Sequence, residues 1–180
     1  RTTAIYICSP NNPSGAIVGP TQCAELASFC VQNDLWVISD EAYVDYAFAP
    51  HRHQFMADLP GMAERTASVY TASKSYALAG IRVGFLVGDP SWLETARRAT
   101  THSVYNVAEI SQLSAQAAIT SGEHWVRRAR EIYQAGAELV AGRLQANFVP
   151  AAGAGYVFLD LSEELGERPL IDYLNDLLHE

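Results

Sequence analysis

Hydrophobic residues in this chain come in short blocks closed by turn-forming residues. Residues 3–8 (Thr-Ala-Ile-Tyr-Ile-Cys), 35–39 (Leu-Trp-Val-Ile-Ser), 67–71 (Ala-Ser-Val-Tyr-Thr) and 84–88 (Gly-Phe-Leu-Val-Gly) are rich in β-branched and aromatic side chains, the pattern of buried strands. Between the first two the spacing turns helical: Cys23, Leu26, Ala27, Cys30 and Val31 fall on one stripe behind Pro20-Thr21, where a helix should open. Strand, helix, strand in succession builds a mostly parallel sheet with helices on its faces, so the fold class is α/β. From Pro90 onward the pattern predicts helices over 90–100, 106–121 and 122–146, the last with Trp125, Ala129, Ile132, Tyr133, Gly136 and Val140 on one side. A new unit follows Asn147, with a strand over 155–161 and a helix over 170–178. No repeat or low-complexity stretch separates the two parts.

Composition narrows the partners. Twenty acidic against twelve basic side chains give a formal charge of −8, which disfavours a nucleic-acid or anionic membrane surface and leaves room only for a local basic pocket. No run approaches the roughly 20 apolar residues of a membrane span, and the start lacks a secretory signal pattern, so a cytoplasmic protein is expected. Cys8, Cys23 and Cys30 are spaced like neither a disulfide framework nor a zinc site and read as reduced, packing cysteines. His51-Arg52-His53 has no acidic or cysteine partner at ligand spacing, so it reads as loop and no metal is expected. The chain has no initiator methionine and stops inside an amphipathic helical pattern at His179-Glu180. It reads as a piece of a longer protein that should neither fold nor bind a cofactor well alone.

The chemistry-bearing residues lie just beyond the strands. Lys74 is preceded by hydroxyls at Thr71 and Ser73 and followed by Arg82 in Ala79-Gly80-Ile81-Arg82-Val83-Gly84-Phe85. An amine, hydroxyls and a guanidinium together suit a phosphate-bearing aldehyde: the amine can form a Schiff base and the others can hold the phosphate. Asp40-Glu41-Ala42-Tyr43 follows the second strand, and Ser9-Pro10-Asn11-Asn12-Pro13-Ser14-Gly15 follows the first. Read singly, Asp40 is a turn aspartate, Glu41 a turn or sheet-edge carboxylate, and Asn-Pro-Ser-Gly a plain turn. Thr71 and Ser73 could equally satisfy nearby backbone. Tyr105-Asn106 reads as a core tyrosine followed by a helix-capping asparagine.

Taken together the three segments resemble a fold-type-I pyridoxal-phosphate (PLP) enzyme of the class I/II aminotransferase family, which carries Asn-Pro-x-Gly, Asp-x-x-Tyr, Ser/Thr-x-Ser-Lys and Arg in that order. The form Ser-Lys-x-x-x-Leu-Ala-Gly-x-Arg-x-Gly-Phe is similar to the histidinol-phosphate aminotransferase branch. The resemblance implies a three-layer α/β/α large domain, of which residues 1–146 would be the C-terminal part with a long connecting helix. Residues 147–180 would begin a small α+β domain. It further implies PLP as cofactor, a homodimer with active sites at the subunit interface, and transfer of an amino group between an amino acid and a 2-oxo acid. Lys74 would be the Schiff-base lysine, Asp40 the partner of the pyridine nitrogen, and Tyr43 and Asn12 the partners of the ring hydroxyl. Thr71, Ser73 and Arg82 would hold the phosphate. Tyr105-Asn106 falls where the family approaches the neighbouring subunit's site. Three pieces the family carries have no counterpart here: a phosphate-binding helix N-terminus, a ring-stacking aromatic residue and an arginine for the substrate carboxylate. The chain by itself is therefore expected to be inactive. Two other readings use the same residues: a PLP-dependent decarboxylase or lyase, and a ligand-sensing domain of a transcriptional regulator. A dinucleotide-binding domain lacks its Gly-x-Gly-x-x-Gly turn.

Overall fold

The computed structural model describes residues 2–144 and 147–179. Strand β1 (Ala4–Cys8) leads into helix α1 (Pro20–Gln32) and strand β2 (Trp36–Asp40). Strand β3 (Thr66–Thr71) follows, then the single-turn helix α2 (Ala72–Ser75) and strand β4 (Gly84–Val87). The sheet order is β1-β2-β3-β4; the first two pairings are parallel and the last antiparallel. The rest of this unit is helical, with α3 (Pro90–Ser103), α4 (Glu109–Ser121) and α5 (Glu123–Ala141).

Helix α1 begins where Pro20 can occupy the first helical position without losing a hydrogen bond, and the Gln22 side chain accepts the Gly19 N–H at 3.0 Å. Its buried stripe of Cys23, Ala27 and Cys30 packs with Leu35, Val37, Met56 and Met62, joined by Ile5 and Ile7 from β1. Val31, expected on that stripe, lies at its edge and is 42% exposed. Because side chains alternate along a strand, Tyr6, Cys8 and Asp40 point to the other face. Helix α3 covers part of that face through Trp92, whose ring centroid is 5.7 Å from that of Trp36. Helices on both faces of a mostly parallel sheet make the three-layer arrangement. The cysteines are free, and burial pushes their thiols up.

Three expectations are corrected. The strand foreseen over 155–161 reduces to β6 (Leu159–Asp160), paired antiparallel with β5 (Asn147–Phe148). The stretch before it bonds to loops instead: Phe48 N–H donates to Ala152 O at 2.9 Å and Ala154 N–H to Tyr46 O at 2.9 Å. On α5 the large residues Trp125, Ile132 and Tyr133 are about half exposed, at 50%, 56% and 45%. Inward contact is made by Val126 and Ala137, which were not foreseen, and by Ala129 and Tyr133 as expected, the Tyr133 ring centroid lying 5.0 Å from that of Tyr46. Tyr105 is 81% exposed rather than in the core, with a left-handed φ of 65°. Asn106 does not cap α4, whose cap position is Ala108. Of the helix foreseen over 122–146, residues 145 and 146 lie outside the described residues. Helices α6 (Ser162–Leu165) and α7 (Leu170–Leu177) close the chain.

Candidate active site

The carboxyl ends of β1, β2 and β3 share one edge of the sheet. In register, Cys8 lies opposite Asp40, and Asp40 opposite Val69, two residues before the end of β3. Asn12, Asp40 and Lys74 therefore leave the sheet from the same edge, four residues past β1, at the end of β2 and three past β3. Strand β4 runs the other way, so its start meets that edge: Gly84 pairs with Thr71, and Arg82 lies two residues before it. Antiparallel pairing explains why the one cation that precedes its strand joins groups that follow theirs.

Asp40 and Glu41 are adjacent in the chain but turn to opposite faces. Asp40 is half-buried and accepts the Tyr6 phenol at Oδ2 (2.5 Å) and the Ala42 N–H at Oδ1 (3.0 Å). Bonding to this carboxylate is the largest cause pushing the Tyr6 phenol well above its ordinary range. Glu41, expected at a turn or sheet edge, is buried. Its Oε1 accepts the Ser39 hydroxyl at 2.8 Å and its Oε2 lies 2.6 Å from His53 Nε2. That contact departs from hydrogen-bond alignment and His53 Nδ1 has no partner among the described residues. The expected loop thus holds for exposed His51 and Arg52, whereas His53 returns to the sheet. His53→Ala strands a buried carboxylate and should cost about 3 kcal/mol of stability. Denaturant unfolding measures it, and a loss below ~1 kcal/mol would show that the pair is not buried as described.

Tyr43 is buried, and its hydroxyl bonds the hydroxyl of Tyr156 across 113 residues of chain. Burial and this neighbour push the Tyr43 phenol up, so it stays neutral. Lys74 is exposed, with Nζ 5.5 Å from the Tyr43 ring centroid, within cation–π reach. Its backbone is fixed by Tyr46, whose hydroxyl donates to Lys74 O at 2.9 Å and lies 3.3 Å from Ser75 O. Burial pushes the Tyr46 phenol up to about 12, so it keeps donating at neutral pH. Two glycines bring these loops together. Gly15, at a φ of +68°, offers its carbonyl to the N–H groups of Ala152 and Gly153, each at 3.0 Å. A Cβ on Gly153 would stand 2.6 Å from Tyr46 O and 2.9 Å from Pro10. Gly153→Ala would thus force apart the segments that carry Tyr43, Tyr46 and Tyr156.

At the other end of the site Thr71 caps α2, its Oγ1 accepting the Ser73 N–H at 3.1 Å. The Ser73 hydroxyl has no hydrogen-bond partner among the described residues. Arg82 is exposed at a left-handed φ of 58° and gives one N–H to Ala79 O at 2.8 Å, its other donors having no partner among the described residues. Asn12 is exposed at the tip of a loop closed by Gly15 N–H donating to Asn11 O at 2.8 Å.

The sequence and the fold are both matched by known proteins. The family described as "Aminotransferase class I and II" matches residues 1–177. The chain belongs to this family. An arginine–pyruvate transaminase of Pseudomonas aeruginosa is 37% identical over 140 residues, 78% of this chain and 35% of that protein. An aspartate aminotransferase of Pyrococcus abyssi is 35% identical over 166 residues, 88% of this chain and 42% of that one. The solved N-succinyldiaminopimelate aminotransferase of Mycobacterium tuberculosis superposes with a TM-score of 0.92 at 28% identity, over 100% of this chain and 47% of its own. The chain thus spans less than half the length of these aminotransferases. A histidinol-phosphate aminotransferase also matches, at 32% identity, beside aspartate and aromatic enzymes at similar values, so likeness to that branch names no substrate. The fold is that of the fold-type-I aminotransferases. Four residues that contact this edge or the carboxylates at it escaped the motif reading: Tyr6, Tyr46, His53 and Tyr156. Period-two alternation puts Tyr6 on the face of Asp40, but only the strand order makes the two neighbours.

Proposed function

We propose that the protein is a PLP-dependent aminotransferase that moves an amino group between an amino acid and a 2-oxo acid. The observation that carries this reading is the shared sheet edge of Asp40, Lys74 and Arg82 in a chain of this family. The residues fit the cofactor by charge. Asp40 offers a carboxylate to a pyridinium, and Tyr43 and Asn12 offer polar groups to the ring hydroxyl. Lys74 offers a free amine to an aldehyde, and Ser73, Thr71 and Arg82 offer donors to a phosphate. When bound, the cofactor supplies an electron sink that acidifies the Cα–H of an amino acid joined to it. With the cofactor bound, Lys74 Nζ would be the base placed to accept and give back the substrate's Cα proton. Asp40 would hold the ring nitrogen, and the Tyr43 phenol would orient the ring hydroxyl.

Several further readings belong to the same proposal. Residues 1–146 are the C-terminal part of a large domain, and 147–180 open a smaller one. The protein is a cytoplasmic homodimer; exposed Tyr105 suits contact with a second subunit. The span of residues 1–180 is inactive by itself, since the matched aminotransferases are more than twice as long. The matched relatives are transaminases, which favours transamination over decarboxylation or elimination. Supplying the full-length protein with PLP, a panel of amino acids and a 2-oxo acid acceptor tests this. A new amino acid should appear as the donor is consumed; release of carbon dioxide or ammonia without one would contradict it.

Arg82→Ala isolates the phosphate contact. Losing a charge-assisted contact of about 1.5–3 kcal/mol should weaken PLP binding roughly 10- to 100-fold, with turnover at saturating cofactor little changed. Titrating the apoprotein with PLP reads the first effect. Unchanged retention would remove Arg82 from the phosphate site.

A further inference from the structure

Asp40 is not held by backbone alone. Tyr6 stands on β1 opposite Ile38, so Asp40, two residues on in β2, is its diagonal neighbour on the same face. Ile5 and Ile7 pack into the α1 core on the other face, fixing β1 so that Tyr6 cannot rotate away with its strand. Its phenol reaches Asp40 Oδ2 at 2.5 Å, the short range of a hydroxyl donating to an ionised acceptor, while the Ala42 N–H takes Oδ1 at 3.0 Å. One donor on each oxygen fixes both the position and the plane of the carboxylate. The remaining lone pairs accept no further hydrogen bond among the described residues.

We propose that Tyr6 is a positioning residue for the reaction, holding the Asp40 carboxylate in place and aimed at the ring nitrogen of the bound cofactor. This rests on the PLP reading, and Tyr6 acts only through Asp40. Among the described residues the titratable groups that perturb Tyr6 are Asp40 and Cys8, whose thiol lies on the same strand face. Cys8 Sγ is committed to Pro10 O at 3.6 Å, so it leaves Asp40 to the phenol. A phenol rather than an imidazole or ammonium in this place donates without adding a positive charge to compete with a pyridinium. Asp40 therefore keeps its full charge for the ring.

A double-mutant cycle on the full-length protein tests the coupling. Tyr6→Phe should lower kcat about tenfold with KM for the amino acid unchanged, and should shift the visible band of the bound cofactor. On an Asp40→Asn background the same substitution should change kcat less than twofold. An equal loss on both backgrounds would overturn the proposal, because a merely structural tyrosine loses the same in each. A second readout needs no cofactor: with ring-carbon-labelled tyrosine in the apoprotein, the Tyr6 resonance, identified by its loss in Tyr6→Phe, should not titrate near pH 10. It should do so in Asp40→Asn. Titration near pH 10 in both proteins would show that no phenol–carboxylate bond exists. If the protein never takes up PLP, the functional reading fails, whereas this titration still decides whether Tyr6 holds Asp40.

Discussion

Lys74→Ala should lower transamination by at least about 1000-fold, ~4 kcal/mol of barrier, while the protein still folds and still takes up PLP non-covalently. The fold survives because the Lys74 side chain is exposed and the turn is held by its backbone, through Tyr46, and by the Thr71 cap of α2. Turnover fails because Lys74 is the one lysine of residues 1–180, and Arg82, the next cation along this edge, cannot give up a proton near neutrality. Steady-state assays with added small primary amines check the assignment. Partial rescue that rises with amine concentration is expected, since only a proton acceptor is missing. Residual activity within tenfold of the parent would put the reactive amine elsewhere.

Asp40→Ala should leave the cofactor bound through Lys74 and the phosphate contacts, yet slow removal of the Cα proton by about 100- to 1000-fold. The charge opposite the ring nitrogen is gone, and the Tyr6 phenol and Ala42 N–H lose their acceptor. Exchange of the Cα hydrogen of an amino acid with deuterium in solvent isolates this step from product release. Exchange within tenfold of the parent, a barrier change below ~1.4 kcal/mol, would remove Asp40 from the reaction.

The sheet was legible because each strand is a short block of β-branched and aromatic residues, and its edge was legible because a polar motif follows each block. What lies behind that edge was not. Asp40 and Glu41 look alike in sequence, and only the alternation of the strand sends one to the cofactor face and the other into the core beside His53. Tyr43 and Tyr156 are 113 residues apart, and their meeting depends on a loop docking that no periodicity announces. The strand foreseen over 155–161 is left only at Leu159–Asp160, and the segment just ahead of it is held by this docking, where backbone groups of Ala152 and Ala154 pair with Phe48 and Tyr46. On α5 the stripe foreseen included Ala129 and Tyr133, which do turn inward, but missed Val126 and Ala137. Tyr105 was mistaken for core because an aromatic residue ahead of a helix looks apolar in one dimension, whatever covers it in three.

The central claim is that Lys74 carries the cofactor. Full-length protein incubated with PLP and reduced with borohydride should lose its visible absorption band. A single peptide, the one containing Lys74, should then be heavier by the reduced pyridoxyl phosphate group. An adduct on any other lysine, or none at all in protein that transaminates, would contradict the account.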